Sequence, residues 1–359
     1  ADGITRFLPQ YPNIVPNEDD LLNPYDGKFY DTIYRKKEFY DLRLSKVENI
    51  PDRRGELMNH QKIITRYLSS HTPYNGILLF HEMGTGKTCS AVGAIEQIKS
   101  EGKFRGAIYI ASATLGKNFL NELVNTCTDG RYIPEDLGDT DRTGKIRMKK
   151  AVSDYYKLGK DYTYAKFAGR VAKMSLEEVR RRFNNHVIVI DEVHNLADNK
   201  KDGASYRRIW NFLHQVQGCK VMLLSGTPMR NKVWDIASVM NLILPAEKKE
   251  QLPTGEEFVK KYCNHVDKDL DLLTKEGANE LKGVFKGRVS YLRGITSDVR
   301  RVFRGTTIRV RGIKQKQGYF KVSESIMSKF QTKSYMEAWR MDKDDMSSAT
   351  KGSGYYRNS

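Results

Sequence analysis

The sequence is short of cysteine, of long apolar runs and of acidic charge, and each shortage narrows what the chain can be. Its four cysteines, Cys89, Cys127, Cys219 and Cys263, lie far apart and match no metal-ligand spacing, so they read as free thiols of a reducing compartment. No apolar stretch approaches the roughly 18–20 residues needed to cross a bilayer. The opening Ala-Asp-Gly-Ile-Thr-Arg-Phe lacks the long apolar stretch of a secretory leader. Acidic residues number 44 against 61 lysines and arginines, a formal charge of +17. Such an excess reads as a solvated basic surface or, with the motifs below, as a surface for a polyanion. A length of 359 residues is enough for one large domain with appendages, or for two domains.

What the chain does have is concentrated first at residues 76–88. The apolar run Ile77 to Phe80 reads as a buried strand that stops in glycines and then lysine and threonine. Gly84 and Gly86 let the backbone turn sharply and point N–H groups inward, with Thr85 between them. Lys87 can reach β and γ phosphates, and Thr88 can hold Mg²⁺ by its hydroxyl. A helix starting near Lys87 would turn its positive end toward the same phosphates. The usual phosphate loop begins with glycine five places before its second glycine, where this chain has His81. Upstream, Leu57, Ile63, Ile64, Tyr67 and Leu68 recur at helical spacing, and Gln61 on this helix is placed to address an adenine edge, although a lone helical glutamine is often only a surface residue.

The second concentration is His186-Val187-Ile188-Val189-Ile190-Asp191-Glu192. Four branched apolar residues make a central parallel strand, and two carboxylates emerge where it ends. Beside a phosphate loop, Asp191 is assigned to magnesium and Glu192 to water activation. His194, two residues on, relates this end to the next strand's loop, or is an ordinary loop histidine. That next strand, Cys219 to Leu224, ends in Ser225-Gly226-Thr227-Pro228, suited to sensing a γ-phosphate and passing on its loss, or forming a plain turn.

Between these stretches, Gly106 to Ile110 reads as another strand, followed by Ser112 and Thr114, which can meet a nucleic-acid phosphate or cap the next helix. Tyr155, Tyr156, Tyr162, Tyr164 and Phe167 interleave with lysines, a pattern that either stacks on bases or packs locally. Residues 282–312 are strongly basic, including Arg288, Arg293, Arg300 and Arg301, with few balancing acids. This favours a phosphate-binding surface whose grip would weaken steeply with salt.

Together these residues resemble a superfamily 2 DExH helicase core. The likeness is to the ATPases of large cytoplasmic DNA viruses, a group that includes the poxvirus early transcription factor small subunit and nucleoside triphosphate phosphohydrolase I. Its carriers are Asn59-His60-Gln61, His81 to Thr88 (where the family also lacks the first glycine), Asp191-Glu192-Val193-His194 and Ser225 to Asn231, in the family's order. The resemblance implies a RecA-like lobe using ATP and Mg²⁺, and ATP-dependent movement along or remodelling of duplex DNA beside viral transcription machinery or RNA polymerase. It implies a setting in the host cytoplasm, at the viral factory, and in the virion. The alternatives are a nucleic-acid-stimulated ATPase serving initiation or termination without unwinding, and a structural transcription subunit. The family pattern includes a second RecA-like lobe whose arginines complete the ATP site; no such glutamine-glycine-arginine segment occurs before Ser359.

The expected organisation is an N-terminal extension over residues 1–55, the ATP-binding lobe over 56–245, a basic and mostly helical extension over 246–312, and a linker or lead-in to a second lobe over 313–359.

Overall fold

The structure is a computed structural model, and it describes residues 37–42, 56–70, 72, 74–134, 142–197, 203–229, 232–267, 270–293, 306–309, 319–322 and 328–348. Most of residues 1–55, the Gly- and Ser-rich tail, Arg230, Asn231, Arg300 and Arg301 lie outside these. The chain divides into two compact units, the first ending at Ile295 and the second starting at Thr296.

In chain order, the first unit has a helical turn α1 (Lys37–Tyr40), helix α2 (Asn59–Tyr67), strand β1 (Gly76–His81), helix α3 (Lys87–Ser100), β2 (Gly106–Ile110) and α4 (Ala113–Glu122), which runs on as a π turn, Leu123–Cys127. Then come α5 (Arg142–Ser153), β3 (Tyr156–Lys157), α6 (Tyr164–Val171), α7 (Leu176–Phe183), β4 (His186–Ile190), α8 (His194–Ala197), α9 (Gly203–Gln215), β5 (Lys220–Ser225) and α10 (Asp235–Met240). After these come α11 (Glu256–Tyr262), the antiparallel pair β6 (Cys263–Asp267) and β7 (Leu270–Leu273), α12 (Lys275–Phe285) and β8 (Val289–Leu292). The second unit holds an antiparallel pair, β9 (Thr306–Arg309) and β10 (Tyr319–Val322), and the helix α13 (Lys329–Ser348). Among the described residues no helix is long and apolar enough to cross a membrane.

Six strands form one parallel sheet in the order β3-β2-β4-β5-β1-β8. Side chains alternate across a strand, so an apolar run feeds both faces at once. Ile77, Leu79, Tyr109, Val187, Val189, Met222 and Leu224 meet α2, α3 and α4 in one core. Leu78, Ile108, Ile110, Ile188, Ile190 and Leu223 meet α6, α7, α9 and α10 in the other. Ile188 and Ile190 are fully buried; truncating either to alanine should cost roughly 2–5 kcal/mol. This is the RecA-like parallel architecture expected from the sequence.

Three expectations are corrected. Val289–Leu292, assigned to a basic helical extension, is a strand that pairs in parallel with β1, so the sheet is completed by chain well beyond residue 245. Among its described residues, the region 246–312 carries four strands, β6 to β9, beside two helices, α11 and α12. Cys89 and Cys127 are bonded as a disulfide with Cα atoms 5.0 Å apart, because the first turn of α3 packs on the π turn after α4; Cys219 and Cys263 form no disulfide.

Candidate nucleotide site

Ligand sites of parallel sheets form at the carboxyl ends of the strands, and here the neighbouring ends of β1, β5 and β4 carry the three motifs. At the end of β1 the loop turns through Gly84 (φ 80°) and Gly86 (φ 74°), left-handed conformations that cost glycine nothing. The loop is braced from behind by α2. His60 Nε2 lies 3.0 Å from the Thr85 carbonyl oxygen, and the Gln61 amide donates to the Gly86 carbonyl at 3.1 Å. The same Gln61 side chain accepts from the Met58 N–H at 2.8 Å, capping its own helix. Gln61 is thus buried, with its amide engaged by the loop and the helix start.

Lys87 Nζ donates to the carbonyls of His81 (2.7 Å) and Glu82 (3.1 Å). Burial holds its pKa below the usual lysine value, against the pull of the Glu192 and Asp191 carboxylates, so the three groups share one electrostatic field. Asp191 and Glu192 are both pushed above the usual carboxylate range. Burial is the main cause for each, and for Glu192 the charge of Asp191 adds to it. Glu192 has φ 45°, a left-handed backbone held by a non-glycine residue. Such strain costs on the order of 1–3 kcal/mol and collects at functional sites.

The carboxylates connect sideways to β5. His194 Nδ1 lies 3.2 Å from Glu192 Oε2 and 2.9 Å from Ser225 Oγ, and Ser225 Oγ accepts from the Thr227 N–H at 3.1 Å. A Cβ placed on Gly226 would sit 3.5 Å from Lys87 Nζ and 3.5 Å from the His81 carbonyl, so the β5 turn abuts the phosphate loop. His81 itself is buried and bonded to Ser290 Oγ at 2.8 Å, tying the loop entrance to β8.

The nucleic-acid candidates divide. Ser112 and Thr114 are exposed after β2, with Ser112 also capping α4 by accepting from Leu115 N–H; Arg293 is exposed just past β8. Arg288 is corrected: it is 7% exposed, and its guanidinium donates to the Val284 carbonyl at 2.9 Å, closing the end of α12 rather than facing solvent. The Tyr-rich stretch resolves toward local packing. Tyr156 and Phe167 are buried in the two cores, and the Tyr164 hydroxyl donates to the Asp191 carbonyl.

Sequence reading missed two tyrosines that touch the site. Tyr109 donates to Asp191 Oδ2 at 2.5 Å, and Tyr164 reaches the Asp191 and Glu192 backbone. The signal for the first was available: a tyrosine within an apolar strand run needs a partner for its hydroxyl.

A phosphate loop, an acidic pair and a hydroxyl turn on adjacent parallel strands define a RecA-like ATPase lobe of helicase type. The chain belongs to the SNF2-related domain family, which matches it over residues 60–356. It is 39% identical over 349 residues to a protein described as a candidate helicase, 009L, of frog virus 3 (isolate Goorha), covering 94% of this chain and 34% of that protein. It is 33% identical to the similarly described 087L of invertebrate iridescent virus 3, covering 91% of this chain and 32% of that protein. It is 24% identical to the early transcription factor 70 kDa subunit of Yaba monkey tumor virus, covering 74% of this chain and 36% of that protein. The chain therefore spans about a third of the length of these relatives. Among solved structures, the Sulfolobus solfataricus SWI2/SNF2 ATPase core in complex with dsDNA aligns at TM-score 0.44 and 22% identity, covering 71% of this chain and 47% of that one.

Proposed function

We propose that this chain is the ATP-binding lobe of a viral DNA translocase or helicase that hydrolyses ATP to remodel duplex DNA during transcription. The observation that supports it most is the gathering of Lys87, Asp191, Glu192, His194 and Ser225 on neighbouring strand ends. The lobe is taken to run from α2 through β8, with residues 1–55 as a partner-docking extension and the chain after Ile295 as the lead-in to a further lobe.

The residues present fit ATP with Mg²⁺. The loop glycines leave a cradle, and at Gly84 no atom would meet an added Cβ within 4 Å. Thr88 and Asp191 are hard oxygen donors of the type magnesium takes. In this reading Gly84, Thr85, Gly86 and Lys87 hold the triphosphate, Gln61 addresses the adenine with the amide N–H and lone pair left over from its bonds to Gly86 and Met58, and Thr88 and Asp191 hold the metal. The metal would neutralise charge developing on the transferred phosphoryl group. Glu192 orients the attacking water and takes its proton. His194, Ser225, Gly226 and Thr227 relay the state of the site, and Ser112, Thr114 and Arg293 grip DNA phosphates; Arg300 and Arg301, outside the described residues, are offered as further phosphate contacts on their charge alone.

A second reading, an ATPase acting as an initiation or termination factor without strand separation, is favoured by the likeness to the Yaba monkey tumor virus early transcription factor subunit. The test is ATP turnover by the full-length protein with duplex DNA, single-stranded DNA and RNA, beside unwinding and blocked-duplex translocation assays. Stimulation by duplex DNA, lost in Lys87→Ala and in Glu192→Gln while the latter still binds nucleotide, is expected. Turnover indifferent to all three polymers would overturn the proposal. Stimulation without unwinding or translocation would favour the second reading.

A further inference from the structure

Asp191 is held at both of its oxygens. Oδ1 accepts from the Glu192 N–H at 2.8 Å, and Oδ2 accepts from the Tyr109 hydroxyl at 2.5 Å. Tyr109 reaches it sideways across the sheet, from the register where Tyr109 pairs with Val189 and Ile110 with Ile190. The tyrosine cannot swing away: it is 3% exposed, and its ring stacks on Phe119 of α4 with centroids 3.9 Å apart and planes 26° from parallel. The Asp191 main chain is pinned as well, its N–H donating to the Ile110 carbonyl at 3.0 Å and its carbonyl accepting from Tyr164.

Each carboxylate oxygen can accept from more than one direction, so these contacts leave lone pairs for a cation while fixing the plane of the group. Magnesium demands near-ideal octahedral geometry and is commonly held through only one or two protein carboxylates, so the orientation of that one side chain matters. Groups that hydrogen-bond a metal ligand typically change metal affinity 10–100-fold when removed.

We propose that Tyr109 is a positioning residue for the divalent cation: its hydroxyl sets the plane of the Asp191 carboxylate and thereby the magnesium affinity of the nucleotide site. The inference rests on the assignment of Asp191 to the metal. It is a role for a residue of β2, outside every motif that the sequence displays.

The experiment is binding of a fluorescent, non-hydrolysable ATP analogue (mant-AMPPNP) to the full-length protein, without divalent cation and across a magnesium titration. The variants are Tyr109→Phe, Asp191→Asn and Phe119→Leu. Tyr109→Phe keeps the ring and its stacking, so affinity without cation and the thermal midpoint should stay near those of the parent. The magnesium concentration giving half-maximal tightening should rise about tenfold. Asp191→Asn should abolish the tightening, and Phe119→Leu, which loosens packing without removing the hydroxyl, should shift the magnesium curve less than Tyr109→Phe. If Asp191→Asn removes the tightening while Tyr109→Phe titrates like the parent, the inference falls and the metal assignment stands. If Asp191→Asn leaves the tightening intact, the metal assignment falls and the inference with it. Equal weakening of Tyr109→Phe with and without cation would mark Tyr109 as packing only and overturn the inference.

Discussion

His81 Nε2 and Ser290 Oγ lie 2.8 Å apart across 209 residues of chain, joining the entrance of the phosphate loop to the strand that closes the sheet. The position where a phosphate loop usually starts with glycine is thus filled by a buried side chain that performs a tertiary task. One residue later the zipper continues, Glu82 N–H donating to the Leu292 carbonyl at 3.0 Å.

That burial makes His81 an acid-sensitive element. Desolvation, helped by the charges of His60 and Lys87, lowers its pKa from 6.5 to about 4. The unfolded chain therefore takes up a proton that the folded chain refuses. The group's contribution to stability is complete above pH 6.5 and is lost as pH falls toward 4, by about 2 kcal/mol at pH 5. His81→Gln keeps a polar end for Ser290 and removes the titration. Urea midpoints of parent and variant should converge, or cross in favour of the variant, between pH 7 and pH 5; a constant gap would show that His81 does not titrate in this window.

Lys220 behaves with the same sign in a higher pH window, a base buried at the start of β5. It is 3% exposed, and its Nζ donates to the carbonyls of Thr72 (2.7 Å) and Tyr74 (2.8 Å). Burial lowers its pKa to about 8, so between pH 8 and the unfolded value of 10.5 the unfolded chain holds a proton the folded chain has released. Stability from this group rises with pH across that window and is lost as pH falls from 10.5 to 8. Lys220→Met leaves two carbonyls without their donor, a cost of roughly 1–3 kcal/mol at pH 7. The gap between parent and variant should widen from pH 8 to pH 10 in denaturant titrations. A gap that narrows would contradict the assignment.

The disulfide offers a third measurement. Cys89 follows the phosphate-loop threonine directly, and its bond to Cys127 closes a loop of 38 residues, which by chain entropy stabilises the fold by about 2–4 kcal/mol. Peptide mapping without reductant should recover the Cys89 and Cys127 peptides linked, while Cys219 and Cys263 take up alkylating agent. Cys219 should react more slowly than a free thiol in solution, since burial raises its pKa. Recovery of four alkylated cysteines from the folded protein would refute the bond.

Much of the lobe was legible because its strands are continuous apolar runs that end in chemically distinctive residues. Gly106–Ile110 has the bounds its sequence implies, His186–Ile190 adds one residue ahead of the four branched ones, and the loop and acid pair fall at strand ends as expected. What escaped depends on partners distant in sequence. Val289–Leu292 has too little apolar character to announce a strand, and only pairing with β1 makes it one. Arg288 counts as charge in composition, yet its carbonyl partner on α12 places it inside. Scattered cysteines gave no hint that a π turn carries Cys127 to the start of α3, and the left-handed backbone at Glu192 has no sequence signal because glutamate rarely adopts it.

The two loop glycines allow the contact between α2 and the phosphate loop to be isolated. Both have positive φ, so alanine at either carries a similar backbone penalty, on the order of 1–3 kcal/mol. Only at Gly86 is there also a collision, because the added Cβ would lie 2.5 Å from Gln61 Nε2, whereas Gly84 has nothing within 4 Å. Gly86→Ala should therefore weaken nucleotide binding at least about tenfold more than Gly84→Ala, the equivalent of about 1.4 kcal/mol. Gln61→Ala removes the obstructing amide, so in the double variant part of the Gly86→Ala loss should be recovered, giving a coupling energy well outside additivity. Equal effects at the two glycines, with no recovery on truncating Gln61, would mean that Gln61 does not brace the loop and that its amide is left to other partners.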